Sequence, residues 1–218
     1  MSLAPACPVC LAAAAARAFL TVQGRDYWRC AACAATFLEP AQRLDAAAAR
    51  AHYDSHRNEV DDPGYRRFLA RLADPLLDRL APGSRVLDYG CGPGPALAAM
   101  LTEAGHDVRL YDPFYRPDAA ALDETYDAVT CTEVVEHFHE PMQELMRLRA
   151  LLRPGGWLGV MTCFQTDDAR FADWHYRRDP THVVFYKEAT LRHLAALLEL
   201  AIDVPAKDVA ILRKPTDP

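Results

Sequence analysis

The sequence Val86-Leu87-Asp88-Tyr89-Gly90-Cys91-Gly92-Pro93-Gly94 decides the fold of this 218-residue chain. A short apolar strand runs into a glycine-rich turn, and a helix is predicted directly after it, over residues 95–104. Glycine allows a backbone to approach a ligand closely because it has no Cβ. The next apolar run ends in Asp112, and a carboxylate there can accept hydrogen bonds from both hydroxyls of a ribose. Together these features predict a nucleoside-cofactor pocket at the edge of a parallel sheet.

The spacing of the glycines separates the candidate cofactors. A dinucleotide site has the pattern G-x-G-x-x-G and seats a pyrophosphate on the helix N-terminus, whereas here Gly90, Gly92 and Gly94 alternate and Asp88 precedes them. A carboxylate beside the turn repels a pyrophosphate and attracts a sulfonium or ammonium group. The cofactor predicted is therefore S-adenosylmethionine. The alternative is an ordinary strand–turn–helix corner whose glycines serve packing alone.

From about Ser84 to the C-terminus the chain resembles the class I S-adenosylmethionine-dependent methyltransferases, whose first motif is V-L-D-x-G-C-G-x-G. The resemblance implies an α/β, Rossmann-like fold with a mostly parallel seven-stranded sheet and helices on both faces. Alternating patterns support it: strands are predicted at 85–88, 107–111, 126–132 and 157–163, helices at 95–104, 141–152 and 187–200, and a closing antiparallel pair at 201–203 and 208–213. Ligands are then expected outside the carboxyl ends of the strands.

Four cysteines near the N-terminus form two C-x2-C pairs, Cys7 with Cys10 and Cys30 with Cys33. Four thiolates give the closed tetrahedron of a structural zinc site, and the strand-like pieces around Gln23-Gly24 suit a hairpin. We therefore predict a zinc ribbon that carries out no chemistry; four reduced cysteines in a small core are the alternative. The predicted divisions are the ribbon at 1–40, a helical lid or connector at 41–82, and the cofactor-binding methyltransferase domain at 83–218.

Composition narrows the function classes. The net charge of -6 gives no support to a generally basic, nucleic-acid-coating surface. The alanine-rich run 11–20 contains Arg17 and is too short to span a bilayer, and no basic segment precedes it, so neither a signal peptide nor a membrane partner is expected. Seven cysteines without a secretory signal favour a reducing compartment and a cytoplasmic protein. Cys91, Cys131 and Cys163 are expected to be core thiols.

After the strand ending at Thr132 the chain reads Glu133-Val-Val-Glu136-His137. The resembled family commonly carries E-V-x-E-H at this point, which implies that these three polar residues border the methionine end of the cofactor. Carboxylates near a sulfonium stabilise its charge, and an imidazole there can accept a substrate proton; bracing of the turn is the alternative for His137. The predicted cofactor-binding residues are Asp88, Gly90, Cys91, Gly92, Gly94, Asp112, Pro113, Thr132, Glu133 and His137.

The long segment 164–186 after the fifth predicted strand is too aromatic to be disordered. Resembling enzymes carry D-x-T-H-V-x-F-Y here facing the substrate, which implies pocket or lid roles for Trp174, Tyr176, Asp179 and His182. His182 beside Asp179 has the composition of a proton acceptor and its orienting group. The predicted catalytic residues are His137, His182, Asp179 and Tyr176. In the helical region, Tyr53, His56 and Tyr65 are candidate lid residues.

The leading functional hypothesis is a methyltransferase acting on oxygen, nitrogen or carbon of a small molecule. Methyl transfer from a sulfonium requires mainly alignment and exclusion of water, so no catalytic magnesium or zinc is expected. One alternative is an RNA methyltransferase whose ribbon binds RNA, although only Arg17, Arg25 and Arg29 are basic there. Another is a non-catalytic cofactor-binding protein whose ribbon recruits a partner.

Overall fold

A six-stranded mixed sheet organises the chain in the computed structural model, which describes residues 4–54 and 59–216. Its strands are β4 (Arg85–Tyr89), β5 (Asp107–Tyr111), β6 (Tyr126–Thr132), β7 (Leu152–Met161), β9 (Ala201–Ala206) and β10 (Val209–Arg213). Their order in the sheet is β5-β4-β6-β7-β10-β9. The first four are mutually parallel, and β9 and β10 add as an antiparallel hairpin. The predicted α/β fold and the closing antiparallel pair are confirmed.

The expected seventh strand of this sheet does not occur in the described residues. Between β5 and β6 the chain makes an isolated bridge from Asp112 to Arg116 and a short 3₁₀ turn at Ala119–Leu122. This connection contains Pro113 and Pro117, and it is too short to form a crossover helix and a further parallel strand. The strand β5 therefore remains at the edge of the sheet.

Six helices accompany the strands in the described part of the chain: α1 (Ala46–Tyr53), α2 (Pro63–Leu77), α3 (Ala96–Glu103), α4 (Pro141–Ala150), α5 (His175–Arg178) and α6 (Glu188–Leu197). Helix α2 begins at Pro63 behind the capping carboxylate of Asp62. Its buried residues Leu69, Leu72 and Leu76 recur at helical spacing. A Cβ on Gly159 would lie 3.0 Å from Leu72, so the missing side chain lets α2 pack close to β7.

A second, four-stranded antiparallel sheet contains the cysteine-rich segment. That segment supplies β1 (Ala16–Val22), β2 (Arg25–Cys30) and β3 (Thr36–Leu38), and Gln23 and Gly24 form the predicted hairpin turn with φ values of 53° and 73°. The fourth strand, β8 (Val184–Phe185), comes from the far end of the chain and pairs Phe185 with Thr36, which gives the order β1-β2-β3-β8. The cysteine-rich segment therefore shares one sheet with the segment predicted to face the substrate.

Two hydrophobic clusters stabilise this arrangement. One extends from Cys7, which precedes the second sheet, and Tyr27 of β2 to Tyr186 and Leu194. The other joins α2 and α3 to one face of the six-stranded sheet. No helix within residues 4–54 and 59–216 has the length and apolar character needed to cross a bilayer.

Candidate cofactor and acceptor site

The glycine turn lies against the end of β5. The amides of Gly90 and Cys91 donate to the Tyr111 carbonyl at 2.7 and 3.2 Å, and the Gly92 amide donates to Asp112 Oδ2 at 3.0 Å. Gly90 and Gly92 have φ values of 77° and 62°, in the left-handed region. A Cβ on Gly92 would have no heavy atom within 4 Å. The turn thus presents open space beside a buried carboxylate, which fits a nucleoside bound through its ribose.

The remaining predicted cofactor residues differ in burial and in hydrogen bonding. Cys91 is half-buried, Pro113 is exposed, and the Gly94 carbonyl accepts from the Ala96 amide at 2.8 Å. The Thr132 hydroxyl is buried and has no hydrogen-bond partner among the described residues. Glu133 has a φ of 53°, and burial together with the charge of Glu136 raises its pKa to about 9. A carboxyl group with a pKa this high keeps its proton at neutral pH and ionises there only when a positive charge lies close to it.

Asp88 lies near the end of β4 with its side chain turned inward. The residue is 4% exposed, and its Oδ1 accepts a hydrogen bond from Thr130 Oγ1 at 2.8 Å. Burial raises the pKa of this carboxyl group to about 6, against the smaller opposing effect of the Thr130 hydrogen bond. The structure therefore joins the Asp88 side chain to Thr130 of the neighbouring strand β6.

A pH-dependent stability difference follows from Asp88. Because its folded-state pKa is raised, the folded protein binds the proton more tightly, and ionisation destabilises the fold as the pH rises from about 4 to about 6. Asp88→Asn cannot ionise, so the variant is expected to exceed the wild type in unfolding free energy by about 1–3 kcal/mol above pH 7. Urea denaturation at pH 5, 6 and 8 measures this difference. A difference that stays constant across these pH values would contradict the assignment.

The E-V-V-E-H segment forms a short 3₁₀ turn at Val135–His137, directly after β6. Glu136 is fully buried, and neither of its carboxylate oxygens accepts a hydrogen bond from any described residue. Its Oε1 lies 3.8 Å from His137 Nε2 and 4.0 Å from His182 Nε2. The two imidazole rings are 4.7 Å apart between centroids. The structure therefore brings together two predicted catalytic histidines around a carboxylate that the sequence placed near the cofactor.

Backbone carbonyls, rather than Asp179, orient these imidazoles. His182 Nδ1 lies 2.7 Å from the Tyr176 carbonyl, and His137 Nδ1 lies 3.2 Å from the Thr181 carbonyl. Asp179 Oδ2 is 3.8 Å from His182 Nε2, too far for a hydrogen bond, and Asp179 instead accepts from the Thr181 amide and approaches His52. Burial lowers the pKa of His182 to about 4, so its ring is neutral at pH 7.

Tyr176 packs against one ring of this histidine pair, that of His182. Its ring centroid is 4.1 Å from that of His182, and its hydroxyl lies 3.0 Å from Thr162 Oγ1. Burial and the carboxylates of Glu136 and Glu133 raise its pKa well above the ordinary value. The phenol therefore remains protonated at neutral pH and can serve as a hydrogen-bond donor.

The helical region supplies aromatic side chains to this site. Tyr53 of α1 stacks edge-on against His137 at 5.2 Å and lies 5.8 Å from Phe114, two residues beyond Asp112. The pKa of Tyr65 in α2 is raised to about 12 by burial and by Asp88 and Glu133. Two of the three predicted lid residues thus lie beside the glycine turn and the histidines. The third, His56, lies outside the described residues.

A cavity of about 630 Å³ opens at the carboxyl end of β7. It is lined by the segment Cys163–Asp167, by Arg170 and Trp174, and by Lys207 at the tip of the β9–β10 hairpin. The Trp174 ring lies 5.2 Å from the Tyr176 ring, so two aromatic rings connect the cavity to His182. Trp174 was predicted as a pocket residue, whereas Lys207 was not, because no local sequence pattern indicates that the β9–β10 hairpin lies beside this cavity.

The cysteine cluster has the dimensions of a structural zinc site. Cys7 Sγ lies 3.7 Å from Cys33 Sγ, and Cys10 Sγ lies 3.6 Å from Cys30 Sγ. All four sulfurs lie within 4.8 Å of one another. A zinc tetrahedron with bonds of about 2.3 Å has edges of about 3.8 Å, so the four thiols fit the ion. The hydrogen bond between Cys7 and Cys33 lowers the pKa of Cys7 to about 5 and raises the pKa of Cys33, so Cys7 is the first thiolate of this pair.

Arg177 is a residue that sequence reasoning did not select. It belongs to α5 yet is 1% exposed, and its guanidinium donates to the Ala172 carbonyl at 3.0 Å, to Gln23 Oε1 at 3.0 Å and to the Tyr27 hydroxyl at 3.4 Å. Arg29 of β2 forms a bidentate pair with Asp168 at 2.9 and 3.0 Å. These contacts attach the cysteine-rich sheet to the segment that carries Tyr176 and His182.

The fold is α/β, and the glycine turn and Asp112 lie at the carboxyl ends of its parallel strands, where ligands bind in sheets of this kind. The chain belongs to the family described as the methyltransferase domain, whose model matches residues 53–203. It is 32% identical over 138 residues to a ubiquinone biosynthesis O-methyltransferase of Xanthomonas campestris, covering 50% of this chain and 57% of that relative. This chain therefore spans little more than half the length of that curated relative.

Two solved structures share the fold. A 1,6-didemethyltoxoflavin-N1-methyltransferase of Burkholderia thailandensis, with bound S-adenosylhomocysteine, aligns with a TM-score of 0.57 at 20% identity and covers 94% of this chain and 100% of that one. Magnesium protoporphyrin IX methyltransferase of Synechocystis PCC 6803, also with bound S-adenosylhomocysteine, aligns with a TM-score of 0.53 at 20% identity and covers 78% and 94%. The resemblance to class I methyltransferases is confirmed at the level of the fold.

Proposed function

We propose that this protein transfers a methyl group from S-adenosylmethionine to a small-molecule acceptor. The observation that carries the proposal is the glycine turn closed on Asp112 in a chain whose residues 53–203 match the methyltransferase family. When bound, the cofactor supplies an electrophilic methyl group on a positively charged sulfur. Both neighbouring solved structures hold S-adenosylhomocysteine, which supports the same cofactor here.

The residues proposed to hold the cofactor fall into two groups. The turn at Gly90–Gly94 and Asp112 receive the nucleoside, and Glu133 is proposed to compensate the charge of the cationic sulfur. Tyr53 and Tyr65 cover the site and exclude water. The histidine pair and Tyr176 border the acceptor, which is proposed to enter through the cavity beside Trp174.

The cysteine-rich sheet is proposed to bind zinc and to position the acceptor segment. Arg29, one of its three basic residues, is paired with Asp168 and stacked 4.2 Å from the Phe19 ring centre. A guanidinium engaged in this way has little capacity for phosphates. This arrangement favours an internal structural role for the ribbon over RNA binding.

A labelled-methyl assay tests the activity directly. The protein is incubated with S-adenosylmethionine carrying a labelled methyl group and with a methyl-depleted extract separated into RNA, protein and small-molecule fractions. Label is expected in the small-molecule fraction. Label in RNA would contradict the proposed substrate class, and no label in any fraction would favour a non-catalytic cofactor-binding protein.

Cofactor placement is tested at the two ends of β5. Asp112→Ala is expected to weaken S-adenosylmethionine binding by roughly ten- to a hundred-fold, because hydrogen bonds to a charged group are worth about 1.5–3 kcal/mol. Asp107→Ala, at the exposed opposite end of the same strand, is the matched control and is expected to bind normally. Isothermal titration calorimetry provides both affinities, and equal affinities would show that the ribose lies elsewhere.

A further inference from the structure

Three electron-pair donors converge beyond the end of β6, namely the Glu136 carboxylate and the imidazoles of His137 and His182. Glu136 Oε1 lies 3.8 Å from His137 Nε2 and 4.0 Å from His182 Nε2, and the three donor atoms all lie within 4.8 Å of one another. Glu136 is fully buried and both its oxygens lack partners among the described residues. A buried carboxylate without hydrogen bonds is strongly destabilising unless a cation compensates it.

The anchoring of the two imidazoles fixes which nitrogen faces the carboxylate. A peptide carbonyl only accepts hydrogen bonds, so the Nδ1 atom of each ring, held by the carbonyl of Thr181 or Tyr176, must carry the proton. In the neutral ring the Nε2 atom then presents its lone pair. Carbonyl-anchored imidazoles of this kind are typical of metal-ligating histidines, whose second nitrogen is fixed by a backbone carbonyl or a carboxylate.

We propose that Glu136, His137 and His182 bind one divalent transition-metal cation, separate from the four-cysteine site. Two imidazoles and one carboxylate suit zinc, manganese and iron in the divalent state. Tetrahedral bonds of about 2.1 Å place ligand atoms about 3.4 Å apart, so Glu136 Oε1 must approach His137 Nε2 and His182 Nε2 from 3.8 and 4.0 Å by roughly half an ångström. This proposal departs from the sequence-based expectation that no catalytic metal is present, and it makes the two histidines ligands instead of proton acceptors.

The cation would favour a hydroxyl acceptor, an inference that rests on the proposed function. Three protein ligands leave coordination positions open, as in catalytic metal sites, and the His137 side chain is 18% exposed, so the site can be reached. An acceptor oxygen bound to the cation has a lowered hydroxyl pKa. The O–H bond then breaks and its proton leaves to water, and the oxygen electron pair forms the bond to the methyl carbon as the carbon–sulfur pair returns to sulfur.

The alternative occupant of the cluster is a proton, held on one Nε2 as an imidazolium beside Glu136. A proton compensates the charge of the Glu136 carboxylate, but a cluster that holds a proton has no open coordination position and does not bind added metal. The two alternatives therefore differ in metal uptake, which can be measured without any acceptor and without turnover.

The experiment counts metals on the full-length protein. Zinc per chain is measured by atomic absorption after purification, and Mn²⁺ is then titrated and followed by the loss of its free electron paramagnetic resonance signal. Soft thiolates favour zinc over manganese, so Mn²⁺ reports on the histidine cluster. Glu136→Gln keeps the side-chain volume, and Glu140→Gln, the same change at an exposed position four residues later, is the matched control.

The wild type and Glu140→Gln are expected to hold two zinc ions per chain, or one zinc ion and one added Mn²⁺. Glu136→Gln is expected to lose the second metal, with Mn²⁺ affinity lowered about 100-fold or more. His182→Gln should behave in the same way. Thermal melting and far-UV circular dichroism, which do not depend on the cofactor site, establish that each variant is folded.

Two results would overturn the cation site. The first is a wild type that takes up no second metal at about 1 mM Mn²⁺, a concentration well above the dissociation constant expected for a three-ligand site. The second is equal Mn²⁺ affinity in the wild type and in Glu136→Gln. Either result with intact S-adenosylmethionine binding and labelled product would leave the proposed function standing. A wild type that does not bind S-adenosylmethionine would instead refute the proposed function.

Discussion

Replacing Cys33 with serine is expected to lower the midpoint of thermal unfolding by about 10 °C or more and to release the zinc proposed for the ribbon. A structural zinc site contributes its binding free energy to folding, and several kcal/mol correspond to a shift of this size in a chain of this length. Cys33 is 2% exposed and faces Cys7 at 3.7 Å. Differential scanning calorimetry and a chromogenic zinc assay measure both effects.

The control for this variant is Cys163→Ser, a half-buried cysteine just after β7 and outside the four-cysteine cluster. It is expected to keep the zinc and to melt within about 2 °C of the wild type. If the wild type carries no zinc in the ribbon, and Cys33→Ser melts like Cys163→Ser, the zinc ribbon is refuted and the cluster is a core of reduced thiols.

The same substitution is expected to separate acceptor binding from cofactor binding. The edge β3–β8 and the Arg29–Asp168 pair hold the segment that contains Tyr176 and His182, whereas the glycine turn is held by β5. Loss of the ribbon should therefore reduce methyl transfer by about 100-fold and leave the affinity for S-adenosylmethionine nearly unchanged. A parallel loss of cofactor affinity would show that the ribbon only sustains the fold as a whole.

Gly90→Ala is the second substitution with a large expected effect. A Cβ at this position would stand 2.5 Å from Val134 Cγ2 and 2.8 Å from Val134 Cγ1, and the φ of 77° is unfavourable for alanine. The turn must shift, and Val134 belongs to the segment that carries Glu133 and Glu136. We expect S-adenosylmethionine affinity to fall by about 100-fold, measured by calorimetry, as the turn and this segment are driven apart.

Gly105→Ala provides the control, because Gly105 has a φ of 91° but a Cβ there would have no heavy atom within 4 Å. It is expected to lose about 1–2 kcal/mol of unfolding free energy with normal cofactor affinity. The double variant Gly90→Ala with Val134→Ala removes the clash and should recover part of the affinity. Equal affinity in wild type and Gly90→Ala would place the cofactor away from this turn.

Local sequence signals predicted most elements of the fold. The strand at residues 107–111, the strand at 126–132 and the hairpin turn at Gln23-Gly24 lie where expected, because apolar runs and turn chemistry are properties of neighbouring residues. The strand number was wrong, since it came from the resemblance and the connection 113–125 is shorter than that architecture requires. The pairing of β3 with β8 joins residues far apart in sequence, and no local pattern encodes such a partner.

The residues of the candidate site could be predicted from the sequence, but the contacts between them could not. Glu136, His137 and His182 were all selected from motifs, yet only the fold shows that their donor atoms converge and that carbonyls orient the rings. The Asp179–His182 pairing expected from their proximity in sequence is replaced by the Tyr176 carbonyl. Arg177 gave no sequence signal, because a buried guanidinium is indistinguishable from an exposed one in a run of charged residues.

The position of β8 also has a consequence for biosynthesis. Strands β1 to β3 leave the ribosome before β8, and their cysteines can capture metal while the residues that follow are still being made. Their fourth strand is Val184–Phe185, so the edge of β3 lacks its partner until the chain has been synthesised as far as Phe185. Closing so long a loop is entropically costly and slow. During translation the nascent ribbon is therefore an open sheet edge, and its completion is expected to be among the last steps of folding.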